Sequence, residues 1–158
     1  RLISEEDMVK QASEFAGTVP VRHLLPYWKT SNRYLFSGGS VNMRDAAVYA
    51  KEENWSKAVE LWKQTYETKK GKQKMYAAYN TALGYEMQDS IDTALEWALK
   101  AQTLAREKSK TDKKETGEIH DGTISYYIFI SMYVDELEKR KEGMARLNMQ
   151  MNRFDDDF

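Results

Sequence analysis

Apolar residues fall at helical spacing over most of this chain. Met8, Val9, Ala12, Phe15 and Ala16 recur at one-, three- and four-residue steps and predict a helix that Gly17 can close. Ser4 with Asp7 three residues on gives that helix a capping-box start. Pro20 and Pro26 then interrupt regular structure, and residues 24–36 (LLPYWKTSNRYLF) read as an extended or irregular segment packing on the main body. The clearest break is SGGS, residues 37–40. Beyond it, helices are expected from Asn42, with Asp45 as its acidic capping partner, to about 53, then over about 55–68, 75–88 and 91–108. A polar, basic linker follows through Gly117. Residues 123–134 (TISYYIFISMYV) have the β-branched and aromatic composition of a strand. Their neighbours are helical, however, and Tyr127, Ile130, Val134 and Leu137 form a helical stripe, so a helix is expected, apolar all round and buried on more than one face. Gly143 either ends it or is passed by a continuation through Met144, Leu147 and Met151, and FDDDF reads as a frayed acidic tail.

Small residues stand where a core usually takes leucine, and they repeat. Laid over residues 78–101, residues 42–65 match Ala46 to Ala82, Tyr49 to Tyr85, Ala58 to Ala94, Trp62 to Ala98 and Thr65 to Ala101, always at an offset of 36. Two antiparallel helices joined by a short turn approach closely only where the facing side chains are small. Ala46 with Ala58, and Ala82 with Ala94, supply such contacts, while aromatic residues fill the space where the helices diverge. One hairpin cannot bury its apolar face alone, so neighbours stack on it. Leucine at Ala94 should overpack its hairpin, whereas at Ala105 it is expected to cost much less.

This pattern resembles the tetratricopeptide repeat. The second unit carries the resemblance best, through Tyr79, Asn80, Ala82, Tyr85, Asp89, Ala94, Glu96 and Ala101. The first keeps Ala46, Tyr49, Trp55 and Ala58, with Glu53-Asn54 in place of the family's glycine-aspartate turn. The resemblance covers roughly residues 40–107, lacks the closing proline and has a longer repeat than the family's usual one. It implies an all-α fold of antiparallel hairpins stacked as a short right-handed solenoid. Residues 1–39 would then be an N-terminal helix and aromatic segment packed on two repeats at 40–107, with a basic linker, capping helix or helices and acidic tail at 108–158. A weaker resemblance, to a group of predicted bacterial envelope lipoproteins ending in two such repeats, rests on residues 24–36 and on DELEKRKEG at 135–143. It implies the cell envelope. From the start at Arg1 rather than methionine, a fragment or processed product is expected.

In the repeat family the first helix of each hairpin lines the concave groove. That implies a surface of Met43, Ala47, Tyr79, Asn80, Leu83, Glu86 and Met87, apolar and lightly charged, suited to an amphipathic helix or extended peptide. The family's carboxylate clamp is not expected, because Met43 and Ala47 replace two of its polar positions and only Asn80 agrees. A second candidate is a basic rim of Lys69, Lys70, Lys72 and Lys74 in one inter-repeat loop with Lys110 and Lys113 in the next, set against a reading as plain solubility.

Composition narrows the chemistry. The 158 residues are 41% hydrophobic and 31% charged, which suits one soluble domain with a core. A net charge of −1 gives no global attraction to nucleic acid or anionic membrane. The absence of cysteine excludes disulfides, thiolate metal sites and cysteine nucleophiles. His23 and His120 are far apart, no nucleophile or phosphate-loop motif is present, and no apolar run reaches membrane-spanning length. No catalytic residue, metal or cofactor is expected. The sequence therefore points to a non-catalytic module binding a protein or peptide in its groove. The alternative is an architectural domain whose groove is filled by its own chain.

Overall fold

The computed structural model describes residues 32–116 and 125–156, and these form five helices and no strand. They are α1 (Val41–Lys51), α2 (Trp55–Thr68), α3 (Lys72–Met87), α4 (Ile91–Thr116) and α5 (Tyr126–Asp156). The expected helix at residues 8–16, Trp28, both histidines and the end of the basic linker lie outside the described residues. The chain divides into two compact units, one of Leu35–Asn152 and one of Arg1–Tyr34 with Arg153–Phe158. All five helices belong to the first unit, apart from the last turn of α5.

Local chemistry sets the boundaries. Ser40, not Asn42, is the residue that precedes α1; Asn42 sits in the first turn and donates to Gln64 on α2 at 3.3 Å. Asn54 caps α2 by accepting the Lys57 N–H at 3.4 Å. Gly71 starts α3 at φ +66°, ψ −135°, a conformation that only glycine adopts without strain, so α3 begins three residues before the expected Met75. Helix α4 does not give way to a linker after Lys108 but continues to Thr116, because lysine, glutamate and threonine there are compatible with helix. Residues 126–134 are helical, with Ser125 accepting the Ile128 N–H at 3.3 Å. Gly143 does not end α5, which passes through it and carries Phe154, Asp155 and Asp156 in its last turn rather than as a frayed tail.

The repeat is visible in the backbone. Glu53 and Asp89, 36 residues apart, both turn their hairpins in the left-handed region, at φ 59° and 60°. Asn54 N–H donates to the Tyr49 carbonyl at 2.8 Å, and Ser90 N–H repeats this to Tyr85 at 2.9 Å. Ala46, Ala58, Ala82, Ala94, Ala98 and Ala101 are fully buried, as small residues at close helix contacts must be. Ala105 is 1% exposed in the same core as Ala94, so leucine there overpacks too, contrary to the expected contrast. Gly84 belongs with these small residues: a Cβ on it would stand 2.3 Å from a Val59 methyl carbon and 3.2 Å from the Trp62 ring.

Consecutive helices pack as hairpins, α1 on α2, α2 on α3 and α3 on α4. Helix α5 then lies along both α3 and α4. Its start meets the start of α3, where the Tyr126 and Tyr76 hydroxyls are 2.7 Å apart. Its middle meets the end of α3, where Arg140 binds Glu86 and Asp89. The two helices thus run parallel. Against α4 it runs antiparallel: Tyr127 faces Arg106, Ser131 faces Gln102 and Lys141 faces Asp92. Ile130, Tyr133, Val134 and Leu137 are buried, but Ile128 and Met132 are more than half exposed. The helix is therefore buried on one side, not all round, because α3, α4 and the Phe36 ring cover that side alone among the described residues.

Candidate functional site

Helix α3 is the centre of the site. Ten of its sixteen residues are buried, because α2 and α4 flank it and α5 covers a further side. Tyr76, Tyr79, Asn80 and Leu83 share one face at helical spacing. Against this face lies the non-helical segment before α1, with Phe36 at its contact point. Asn80 is fully buried and holds Phe36 by both its backbone N–H and its backbone carbonyl. Its Oδ1 accepts the Phe36 N–H at 3.1 Å and its Nδ2 donates to the Phe36 carbonyl at 2.7 Å. One side-chain amide thereby replaces the pair of bonds that a neighbouring strand would give.

The Phe36 ring enters a cage of aromatic rings. It stacks on Tyr76 at 4.2 Å and meets Tyr79 edge-on at 5.1 Å. Phe129 and Tyr126 of α5 stand edge-on at 6.1 and 6.2 Å. These are the offset and edge-to-face geometries that the ring quadrupole favours. Phe36 also packs against both hydrophobic clusters, the one around Met43 and Trp62 and the one around Tyr79 and Ile130. The Tyr76 hydroxyl has its pKa pushed up to about 12, first by burial and then by its hydrogen bond to Tyr126.

Glu86 lies further along α3 and is 2% exposed. Its Oε1 accepts from the Tyr133 hydroxyl at 3.0 Å and its Oε2 binds Arg140 at 2.9 Å. Arg140 reaches on to Asp89 at 3.0 Å. A carboxylate buried this far needs its charge matched, and one arginine from α5 does so while joining two acids of α3 and its turn.

The expected groove residues have these places. Met43, Ala47, Tyr79, Asn80, Leu83 and Glu86 are buried, and Met87 is 36% exposed. Tyr79, Asn80 and Glu86 are in direct contact with Phe36 or α5. Around Tyr79, Asn80 and Glu86, the face expected to take a peptide is covered by Phe36 and α5. Sequence reasoning missed Phe36 as the occupant and Phe129, Tyr133 and Arg140 as the lid. The aromatic stretch before SGGS was the available signal for Phe36; nothing local marked Arg140, which is 54 residues from Glu86.

The basic rim is divided. Lys69 and Lys70 are exposed after α2, and Lys72 and Lys74 sit on the first turn of α3 over the rings of Tyr126 (5.9 Å) and Tyr66 (4.7 Å). Lys110 and Lys113 lie on the helical α4 rather than in a loop. Among the described residues, no group of three or more histidine, cysteine, aspartate or glutamate side chains is gathered to hold a metal. Also among them, no helix is long and apolar enough to cross a membrane.

An all-helical domain of packed neighbouring helices is thus the class of protein that the fold defines. A family model describing a domain of unknown function, DUF6340, matches residues 44–139, more than half of the chain, and the chain belongs to that family. A second model, DUF8603, also a domain of unknown function, matches residues 1–36 and ends at Phe36. No curated protein and no solved structure matches the chain.

Proposed function

We propose that this chain is a non-catalytic, tetratricopeptide-like module whose groove holds its own preceding segment, giving it an architectural role beside a neighbouring domain. The observation that carries this reading is the double hydrogen bond from Asn80 to the backbone of Phe36, with the Phe36 ring caged by α3 and α5. Contacts made to the backbone rather than to a side chain are how a groove holds an extended segment. The solenoid part of the reading is supported by the 36-residue recurrence of the hairpin turns and by α5, which runs parallel to α3 as the first helix of a third hairpin would. The non-catalytic part is supported by the pairing of the buried carboxylate, Glu86, with Arg140 and Tyr133. An acid–base residue needs a proton to exchange with a substrate; this one is committed to holding α5.

The test uses a blocked peptide of residues 32–38, NRYLFSG, titrated into the wild-type chain and into Phe36→Ala. If the groove is filled in cis, the wild type does not bind the peptide and the variant, with its cage vacated, does. Equal binding by both would instead support an open groove for a foreign partner. Binding by neither would show that the groove does not recognise this segment.

A further inference from the structure

A second surface lies where α2 and α4 meet, built from residues the groove does not use. Tyr66 of α2 and Trp97 of α4 meet edge-on with ring centres 5.0 Å apart. Three ammonium groups from three helices gather on these rings. Lys100 Nζ stands 4.1 Å from the Trp97 ring centre and 6.0 Å from Tyr66. Lys74 Nζ is 4.7 Å from Tyr66. Lys63 Nζ is 5.8 Å from Trp97, 5.6 Å from the Tyr85 ring, and donates to the Tyr85 hydroxyl at 3.0 Å.

Among the described residues none of the three is in an ion pair, whereas Arg140 and Lys141 on α5 both are. The sequence offers partners that are not taken. Glu67 follows Lys63 by four residues and Glu96 precedes Lys100 by four, the spacing at which helical charges pair. The ammonium groups turn to the rings instead, whose negative faces attract a cation without neutralising it. Three like charges around two touching rings leave a local positive potential that an outside anion can match.

We infer that this surface binds a short acidic segment of a partner protein. Its carboxylates meet Lys63, Lys74 and Lys100, and an apolar side chain beside them rests on the half-buried Tyr66. The net charge of −1 adds no long-range attraction for nucleic acid or an anionic membrane, which favours a short acidic segment over a polyanion. The surface is independent of the groove, so this inference stands or falls apart from the proposed function.

The experiment titrates the blocked peptide Glu-Asp-Glu-Glu-Phe into 15N-labelled protein and follows the four tryptophan indole signals. The expected result is a saturable shift of Trp97 whose affinity falls with added salt. The triple variant Lys63→Gln, Lys74→Gln, Lys100→Gln should lose about ten-fold in affinity or more. The matching triple arginine variant, which keeps charge and ring contacts, should retain binding within about three-fold. Three results would overturn the inference: no shift of Trp97, unchanged affinity in the glutamine variant with its helicity intact, or tighter lysine-dependent binding of a single-stranded oligonucleotide or of phosphatidylserine vesicles than of the peptide.

Discussion

Replacing Asn80 by alanine removes both hydrogen bonds that hold Phe36 while leaving the Phe36 ring in place. Each such bond contributes about 1 kcal/mol net, so the loss should be about 2 kcal/mol. Phe36→Ala keeps the hydrogen bonds and removes the ring. A fully buried phenylalanine costs about 3–5 kcal/mol to truncate, and Phe36 is only partly buried, so about 2 kcal/mol is expected. The two effects share one segment. Once the ring is gone, that segment is already loosened and the amide has less to hold. The double variant should therefore lose about 3 kcal/mol rather than 4, a coupling of about 1 kcal/mol. Asn80→Asp sharpens the test, since a carboxylate still accepts the Phe36 N–H but opposes its carbonyl oxygen, and should cost at least as much as alanine. Urea melts followed by far-ultraviolet circular dichroism give all four values. Strict additivity, or a loss at Asn80 below about 0.5 kcal/mol, would refute the claim that this amide holds the segment in the groove.

Other perturbations probe the packing around that site. Gly84→Ala should cost about 1–3 kcal/mol in the same melts, because its methyl group meets Val59 and Trp62, whereas Gly143→Ala in the exposed part of α5 should gain about 0.5–1 kcal/mol. Leucine at either Ala94 or Ala105 should destabilise by about 1–3 kcal/mol, and at the exposed Ala145 by almost nothing. Tyr76 holds its proton to about pH 12 when folded and to about pH 10 when unfolded, so its contribution is intact below pH 10 and is lost as pH rises from about 10 to 12. Tyr76→Phe should flatten that part of a stability–pH curve.

The helices and the repeat were legible because both are local. Buried alanines at a fixed offset constrain how closely two neighbouring helices approach, and the left-handed turns at Glu53 and Asp89 fall in the same register. The helix over residues 126–134 was legible from its stripe despite its strand-like composition, since packing on α3 and α4 overrides intrinsic propensity. The extent of α4 was not, because the polar turns beyond Lys108 carry no apolar periodicity to read; for α5, Met144, Leu147 and Met151 pointed to the continuation that Gly143 left open. Burial of the residues expected to line a groove was not legible either. Tyr79, Leu83 and Met43 look the same in sequence whether a partner or the chain itself covers them, and the answer depends on contacts 44 to 54 residues apart.

Arg140 is where that distant information has most effect, and its removal tests how the groove is closed. Glu86 was expected to lend the groove a light charge; at 2% exposure it instead requires a cation. Removing one partner of a buried pair costs about 3–5 kcal/mol, but the Arg140 side chain is 38% exposed, so water reaches the pair and about 2 kcal/mol is the better expectation for Arg140→Met. Replacing both partners, with Glu86→Gln added, removes the unmatched charge while the amide still accepts from Tyr133. The double variant should therefore recover at least about 1 kcal/mol over Arg140→Met alone. Tyr133 and Phe129 stand on the same helix as Arg140 and cover Tyr79, so loss of the arginine should also loosen the aromatic cover. Amide hydrogen exchange should then quicken along residues 126–140 and at Phe36, with α1 and α2 unchanged. Faster exchange spread evenly over all five helices would mean that Arg140 supports the whole fold and has no particular part in keeping the groove closed.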